Sequence, residues 1–200
     1  MTKALIELQY LPTVAYFSQI AQYEEVIIEV CENYQKGSYR NRCQILGANG
    51  VMSMSIPLEK GKHQQTPIRE VRINYTERWN VQHWQGIRSA YGRAPFWEFY
   101  ADYFEPVFQK KHEFLFDFNL ELFQICCKLL KIKPQLSFTS SYEKTIDNAE
   151  IIDLRNQIKP NLSFETKKYP QVFEDRFGFV PDLSIIDLLF CMGNQAKGRF

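Results

Sequence analysis

Arg40-Asn41-Arg42, with Lys36 and Tyr39 just ahead of it, is the densest group of recognition chemistry in the chain. If the backbone there is extended, residues two apart point the same way. Arg40 and Arg42 would then offer two planar five-donor groups suited to a phosphate, pyrophosphate or carboxylate. The competing reading makes them strand-face arginines paired with Glu24, Glu25 or Glu29 at the surface, where such pairs contribute little. Asn33 and Tyr34 place an amide and a phenol directly after an apolar run, an address where ligand-orienting groups collect. A turn-forming Asn beside a packing Tyr is the alternative there. His83 is a candidate general base, and Trp79, one turn earlier, a surface for stacking. Both lie on an apolar helical arc, so core packing competes with either role. The residues therefore assign catalysis to His83 and Tyr34, and substrate binding to Gln9, Tyr10, Asn33, Lys36, Arg40, Asn41, Arg42 and Trp79.

The sequence contains no Gly-rich phosphate loop, no nucleophile elbow and no paired histidines at metal spacing. No metal and no cofactor is expected. Cys126 and Cys127 are neighbours on a helical stretch, so their side chains diverge by about 100° and fill core rather than share an ion.

These side chains need a scaffold, and the first thirty residues supply it. Ala4–Gln9 (ALIELQ) reads as a strand, Pro12-Thr13 starts a helix over Val14–Gln22, and Val26–Val30 is a β-branched buried strand. Such a strand-helix-strand unit pairs in parallel and opens its ligand crevice at the carboxyl ends of the strands. Gln9, Tyr10 and the 32–42 loop would open there together. Alternation predicts strands at Met52–Ile56 and Val71–Tyr75, joined by a polar segment, 58–68, read as a mobile flap carrying Lys60, Lys62 and His63 or as a plain solvated loop. Helices follow from Glu77 to Tyr91, from Phe96 to Phe108 with Pro106 bending or ending it, and from Asn119 to Leu130 behind an Asp117 cap. Leu136–Tyr142 reads as a returning strand. The last helix, capped by Asp182 or Ser184 and running through Phe190, is apolar all round and must be buried, with Asp187 paired to Arg155 or Arg176. The expected fold is one α/β domain over residues 1–200, a mixed sheet with a parallel start and helices over it.

A net charge of +1 argues against a nucleic-acid coat protein. The charge is uneven, however: residues 36–93 hold ten Lys plus Arg against three Glu, which makes the middle the anion-facing part. Five cysteines without a CxxC pair, and a start without a leader, predict the cytoplasm. No apolar run reaches the ~18 residues of a membrane span.

Several motifs in order, Tyr10-Leu11-Pro12 with Tyr16-Phe17, Glu32-Asn33-Tyr34, Arg40-Asn41-Arg42, Trp79 with His83, Ala94-Pro95-Phe96 and Leu183–Phe190, resemble the WbqC-like family over essentially the whole chain. The resemblance implies a place in bacterial surface-polysaccharide biosynthesis, with sugar or nucleotide-sugar chemistry. Many members carry His-Gln-Pro ahead of the Tyr-Leu-Pro element, where this chain has Ile6-Glu7-Leu8, so no role is carried over to that His. The reading that follows is a transferase-type enzyme acting on an anionic small molecule such as a nucleotide-sugar, with a partner enzyme of glycan assembly as a further associate. The alternatives are a non-catalytic module binding a sugar or a partner through Trp97, Tyr100 and Tyr103, and, least favoured, a single-strand nucleic-acid binder using Tyr34, Tyr39 and the basic loop.

Overall fold

A computed structural model describes residues 2–59, 65–160 and 162–199. Lys60, Lys62 and His63 of the anticipated flap lie outside the described residues.

Strand β1 (Lys3–Glu7) pairs in parallel with β2 (Glu25–Glu29), Ala4 opposite Val26 and Glu7 opposite Glu29. The helix between them, α1 (Val14–Ile20), is capped by Thr13, whose hydroxyl accepts from the Tyr16 amide at 3.2 Å. The ladder stops at Glu7 rather than Gln9 because the chain turns sharply before the helix, with Leu11 in the left-handed region at φ 41°. Two further strands, β5 (Gln135–Phe138) and β6 (Ile151–Asp153), add in parallel to give the order β5-β2-β1-β6. Strand β6 was not anticipated; its three residues fall inside a stretch dominated by polar groups.

The antiparallel part of the fold is segregated. Strands β3 (Arg42–Gly47) and β4 (Gly50–Ser55) form a separate hairpin sheet, turned at Ala48-Asn49, with Gly50 opening β4 at φ 106°. Residues 71–75 make only isolated bridges, Ile73 to Leu58 and Arg72 to Phe114. The anticipated strand there does not form, because its neighbours are a loop and the start of a helix rather than a second strand.

Helices α2 (Trp79–Tyr91), α3 (Trp97–Gln109), α4 (Leu115–Leu129) and α6 (Ile185–Met192) supply most of the core, with a short α5 (Glu174–Phe177) before the last. Helix α3 continues three residues beyond Pro106. Helix α4 starts four residues earlier than expected, so Asp117 sits in its first turn instead of capping it. All eight residues of α6 are buried.

One face of the parallel sheet, carrying Ala4, Ile6, Val26 and Ile28, is wholly buried in this core. Phe123 of α4 packs there between Phe17, stacked at 5.7 Å, and Tyr16 at 6.3 Å. Leu5 and Ile27 point to the opposite face, where the 139–148 segment closes over a cavity of about 380 Å³. The sheet is therefore covered by helices on one side and by an irregular segment on the other.

Candidate functional site

Each long buried strand ends in an acid. Glu7 closes β1 and Glu29 closes β2, and Glu32 follows two residues after Val30; all three are 1–2% exposed. Strand β1 lies between β2 and β6, so the carboxyl ends of these parallel strands lie side by side at one edge. That is where crevices open in parallel sheets.

Buried carboxylates persist only where donors replace their water. Glu29 accepts from Arg155 Nη1 at 2.7 Å, Thr139 Oγ1 at 2.7 Å and the Cys31 amide at 2.8 Å. Glu32 takes a two-pronged bond from Arg40, Nε at 2.6 Å and Nη2 at 2.5 Å. The same Nη2 donates to Asn156 Oδ1 at 3.0 Å, the Asn156 amide donates to Glu7 Oε2 at 2.9 Å, and Gln9 Nε2 donates to Glu7 Oε1 at 2.9 Å. One continuous polar chain thus links the ends of β1, β2 and β6 beneath the 32–42 loop. Burial pushes the Glu32 carboxyl up from its ordinary value against the pull of Arg40.

Above this chain lies a cavity of about 490 Å³ walled by residues 31–36 and Tyr142. Glu32 forms part of its wall, with Asn33 and Lys36 exposed around it. The Tyr34 hydroxyl donates to Asn41 Oδ1 at 3.0 Å, and burial holds that phenol above its usual range, so it stays protonated near neutrality. The Tyr142 ring lies 5.2 Å from the Arg155 guanidinium. A carboxyl with a raised pKa, an exposed amide and an ammonium in one cavity suit proton transfer to or from a hydroxyl-bearing molecule held by an anionic group.

The anticipated site residues divide. Asn33, Tyr34 and Lys36 wall the cavity, while Gln9 and Arg40 belong to the buried chain under it. Arg40 is 1% exposed and spent on Glu32, so it offers nothing to an anion. The pair of parallel guanidinium groups does not form, because residues 39–40 turn and Arg40 is drawn inward while Arg42 opens β3. Arg42 Nε has no hydrogen-bond partner among the described residues. Asn41 pins the hairpin, donating Nδ2 to the Ile56 carbonyl at 2.9 Å. Tyr10, Trp79 and His83 lie together in the core: His83 Nδ1 bonds the Tyr10 hydroxyl at 2.9 Å, its ring stacks on Tyr10 and meets Trp79 edge-on at 5.1 Å. Burial lowers the His83 pKa to about 4, leaving a neutral ring.

Of the residues at the strand ends, Glu7 and Asn156 carry no expectation from sequence, and Glu29 and Arg155 are expected only as ion-pair partners of other residues. The usable signal was an acid ending an apolar run, in LIE and again in VIIE, where a solvated end would be the default. Asp187 pairs with neither arginine expected for it. It accepts from the Tyr91 hydroxyl at 2.8 Å and Gln171 Nε2 at 3.1 Å, while Arg155 serves Glu29 and Asp153, and Arg176 bonds the Ala48 carbonyl.

Fold and site together define an α/β protein with a four-stranded parallel sheet whose carboxyl edge carries a buried acid-arginine network under a polar cavity. A model of the WbqC-like protein family matches residues 9–167, and the chain belongs to that family. It is 28% identical to the uncharacterized protein Rv1507c of Mycobacterium tuberculosis over 222 aligned positions, which cover 96% of this chain and 94% of the relative. No solved structure matches it. Among the described residues no helix is long and apolar enough to cross a membrane, and no group of three or more His, Cys, Asp or Glu is placed to hold a metal ion.

Proposed function

We propose that this chain is a cytoplasmic transferase-type enzyme of surface-polysaccharide biosynthesis that takes an anionic small molecule, such as a nucleotide-sugar, into the cavity at the end of β2. The observation that carries the reading is that Glu32, whose buried carboxyl is bonded to Arg40 and raised in pKa, is one of the residues lining a cavity of about 490 Å³. In this reading Glu32 takes the proton of an acceptor hydroxyl, Arg40 fixes its orientation, and Tyr34 is a protonated hydrogen-bond donor. Lys36 meets the anionic group and Asn33 a hydroxyl. His83, neutral and enclosed, positions Tyr10 and does not meet substrate. The family resemblance supports the glycan setting, and five free thiols accord with a reducing compartment.

Turnover with nucleotide-sugar donors and glycan acceptors tests the reading, alongside thermal shifts of the native protein, Asn33→Ala and Lys36→Ala. Product formation, with the ligand-induced shift reduced in both variants, is the expected result. Absence of product across the panel, with shifts equal in all three proteins, would remove it. A second reading, a non-catalytic partner-binding module, is favoured by α3: Phe99 is 68% exposed and Tyr103 40%, although Trp97 and Tyr100, also expected at that surface, are half-buried.

A further inference from the structure

One cavity shares no lining residue with the carboxyl-edge site. It is a cleft of about 1010 Å³ between the end of α2, the start of α3 and the 170–176 segment. Arg88, Arg93 and Arg176 stand on its walls. Arg40, Arg72 and Arg155 each face a carboxylate elsewhere in the protein, whereas neither the Arg88 nor the Arg93 guanidinium has a hydrogen-bond or carboxylate partner among the described residues. Arg176 is anchored by one donor, Nη1 to the Ala48 carbonyl at 2.6 Å, which leaves the rest of its fork open. Between them the cleft has an apolar surface from Pro95, Trp97, Pro170 and Val172. Two acids, Glu98 and Asp175, also line it.

The floor is rigid. Gln171, 7% exposed, accepts from the Val180 amide at 2.8 Å and donates to the Val180 carbonyl at 2.9 Å and to Asp187 at 3.1 Å. Trp97 is held by Trp84, stacked at 5.4 Å, and by Phe190 at 5.0 Å. Unpaired guanidinium groups beside a fixed apolar wall suit a ligand with phosphates at one end and a flat ring at the other. Carboxylates between the two accept from sugar hydroxyls.

From this juxtaposition we infer that the cleft is a second binding site, for a nucleoside diphosphate or a close phosphorylated relative. Arg88 and Arg93 take the phosphates, the Pro95–Trp97 and Pro170–Val172 walls take the base, and Glu98 or Asp175 takes the sugar. The inference does not depend on catalysis at the carboxyl edge.

Calorimetric titration of the full chain with uridine diphosphate, and separately with uridine, tests it in three proteins: the native chain, R88A/R93A and Lys36→Ala. Both arginines are exposed, so the double variant is expected to fold. The inference expects saturable binding of the diphosphate, weaker binding of uridine, a loss of about tenfold or more in R88A/R93A, and saturable binding that persists in Lys36→Ala. No saturable binding, or equal affinity in the native and double-variant proteins, overturns it. Binding weakened by Lys36→Ala but not by R88A/R93A also overturns it, and places the nucleotide in the carboxyl-edge cavity instead.

Discussion

Arg40 and Glu32 form a two-pronged ion pair, 2.6 and 2.5 Å long, in which both side chains are 1–2% exposed. The arginine that looked best suited to seize a substrate anion is the one that keeps an acid ionisable beneath the cavity. Its retention of Glu32 also orders the 32–42 loop against Asn119, which donates Nδ2 to the Arg40 carbonyl at 2.7 Å.

Glu32→Gln strands the Arg40 charge away from water, and should cost about 3–5 kcal/mol in urea denaturation. Pairing it with Arg40→Met removes the orphaned charge and should restore much of the loss. A single-variant cost below about 1 kcal/mol would show that the pair is solvated.

His83 should titrate far below a free histidine. Its folded pKa, lowered by burial to about 4, lies beneath the usual 6.5, so its contribution to stability is present above pH 6.5 and is lost as pH falls toward 4. The loss is about 3 kcal/mol at full displacement. The imidazole proton resonance of His83, followed by NMR against pH, checks this: a midpoint above 6 would return it to the candidates for a general base.

Asp187 works in the opposite sense. Burial raises its carboxyl from 3.8 to about 6, although hydrogen bonds from Tyr91, Tyr169 and Gln171 pull the other way. The folded state therefore binds the extra proton, and stability from this group is complete below pH 3.8 and fades as pH climbs through 6. At about 1.4 kcal/mol per tenfold, the range is about 3 kcal/mol, nearly cancelling His83 between pH 4 and 6. Denaturation midpoints of the native protein and Asp187→Asn across pH 4–7 should diverge, with the native gaining relative to the variant as pH falls. Parallel curves would mean that Asp187 does not titrate there.

Gly193→Ala should destabilise the end of α6. The residue has φ 56°, and an added Cβ would come within 2.2 Å of the Phe96 ring, which cannot swing away because it stacks on Tyr100 at 6.1 Å. Left-handed strain of about 1–2 kcal/mol and overpacking of about 1–3 kcal/mol act together. Chemical denaturation checks it; a variant within 0.5 kcal/mol of native would show that α3 shifts freely against α6.

Sequence determined what short-range pattern can encode. VIIE and ALIE specify adjoining buried strands, Thr13 caps the helix between them, and an apolar IIDLLFCM must lie inside. Those features rest on side-chain periodicity and local hydrogen bonds, legible within a few residues, and the motif order was enough to resemble the family. The candidate site was only half legible: Asn33, Tyr34 and Lys36 follow a buried strand and do wall a cavity. Only the tertiary structure decided which charges remain available. Arg40 meets an asparagine 116 positions later, and that asparagine meets Glu7 across 149 positions. No local window contains such pairings. Because the cost of burying a charge is set entirely by the partner that answers it, whether Arg40 binds a ligand or Glu32, and whether His83 is a base or a core ring, follows from the packing of distant segments.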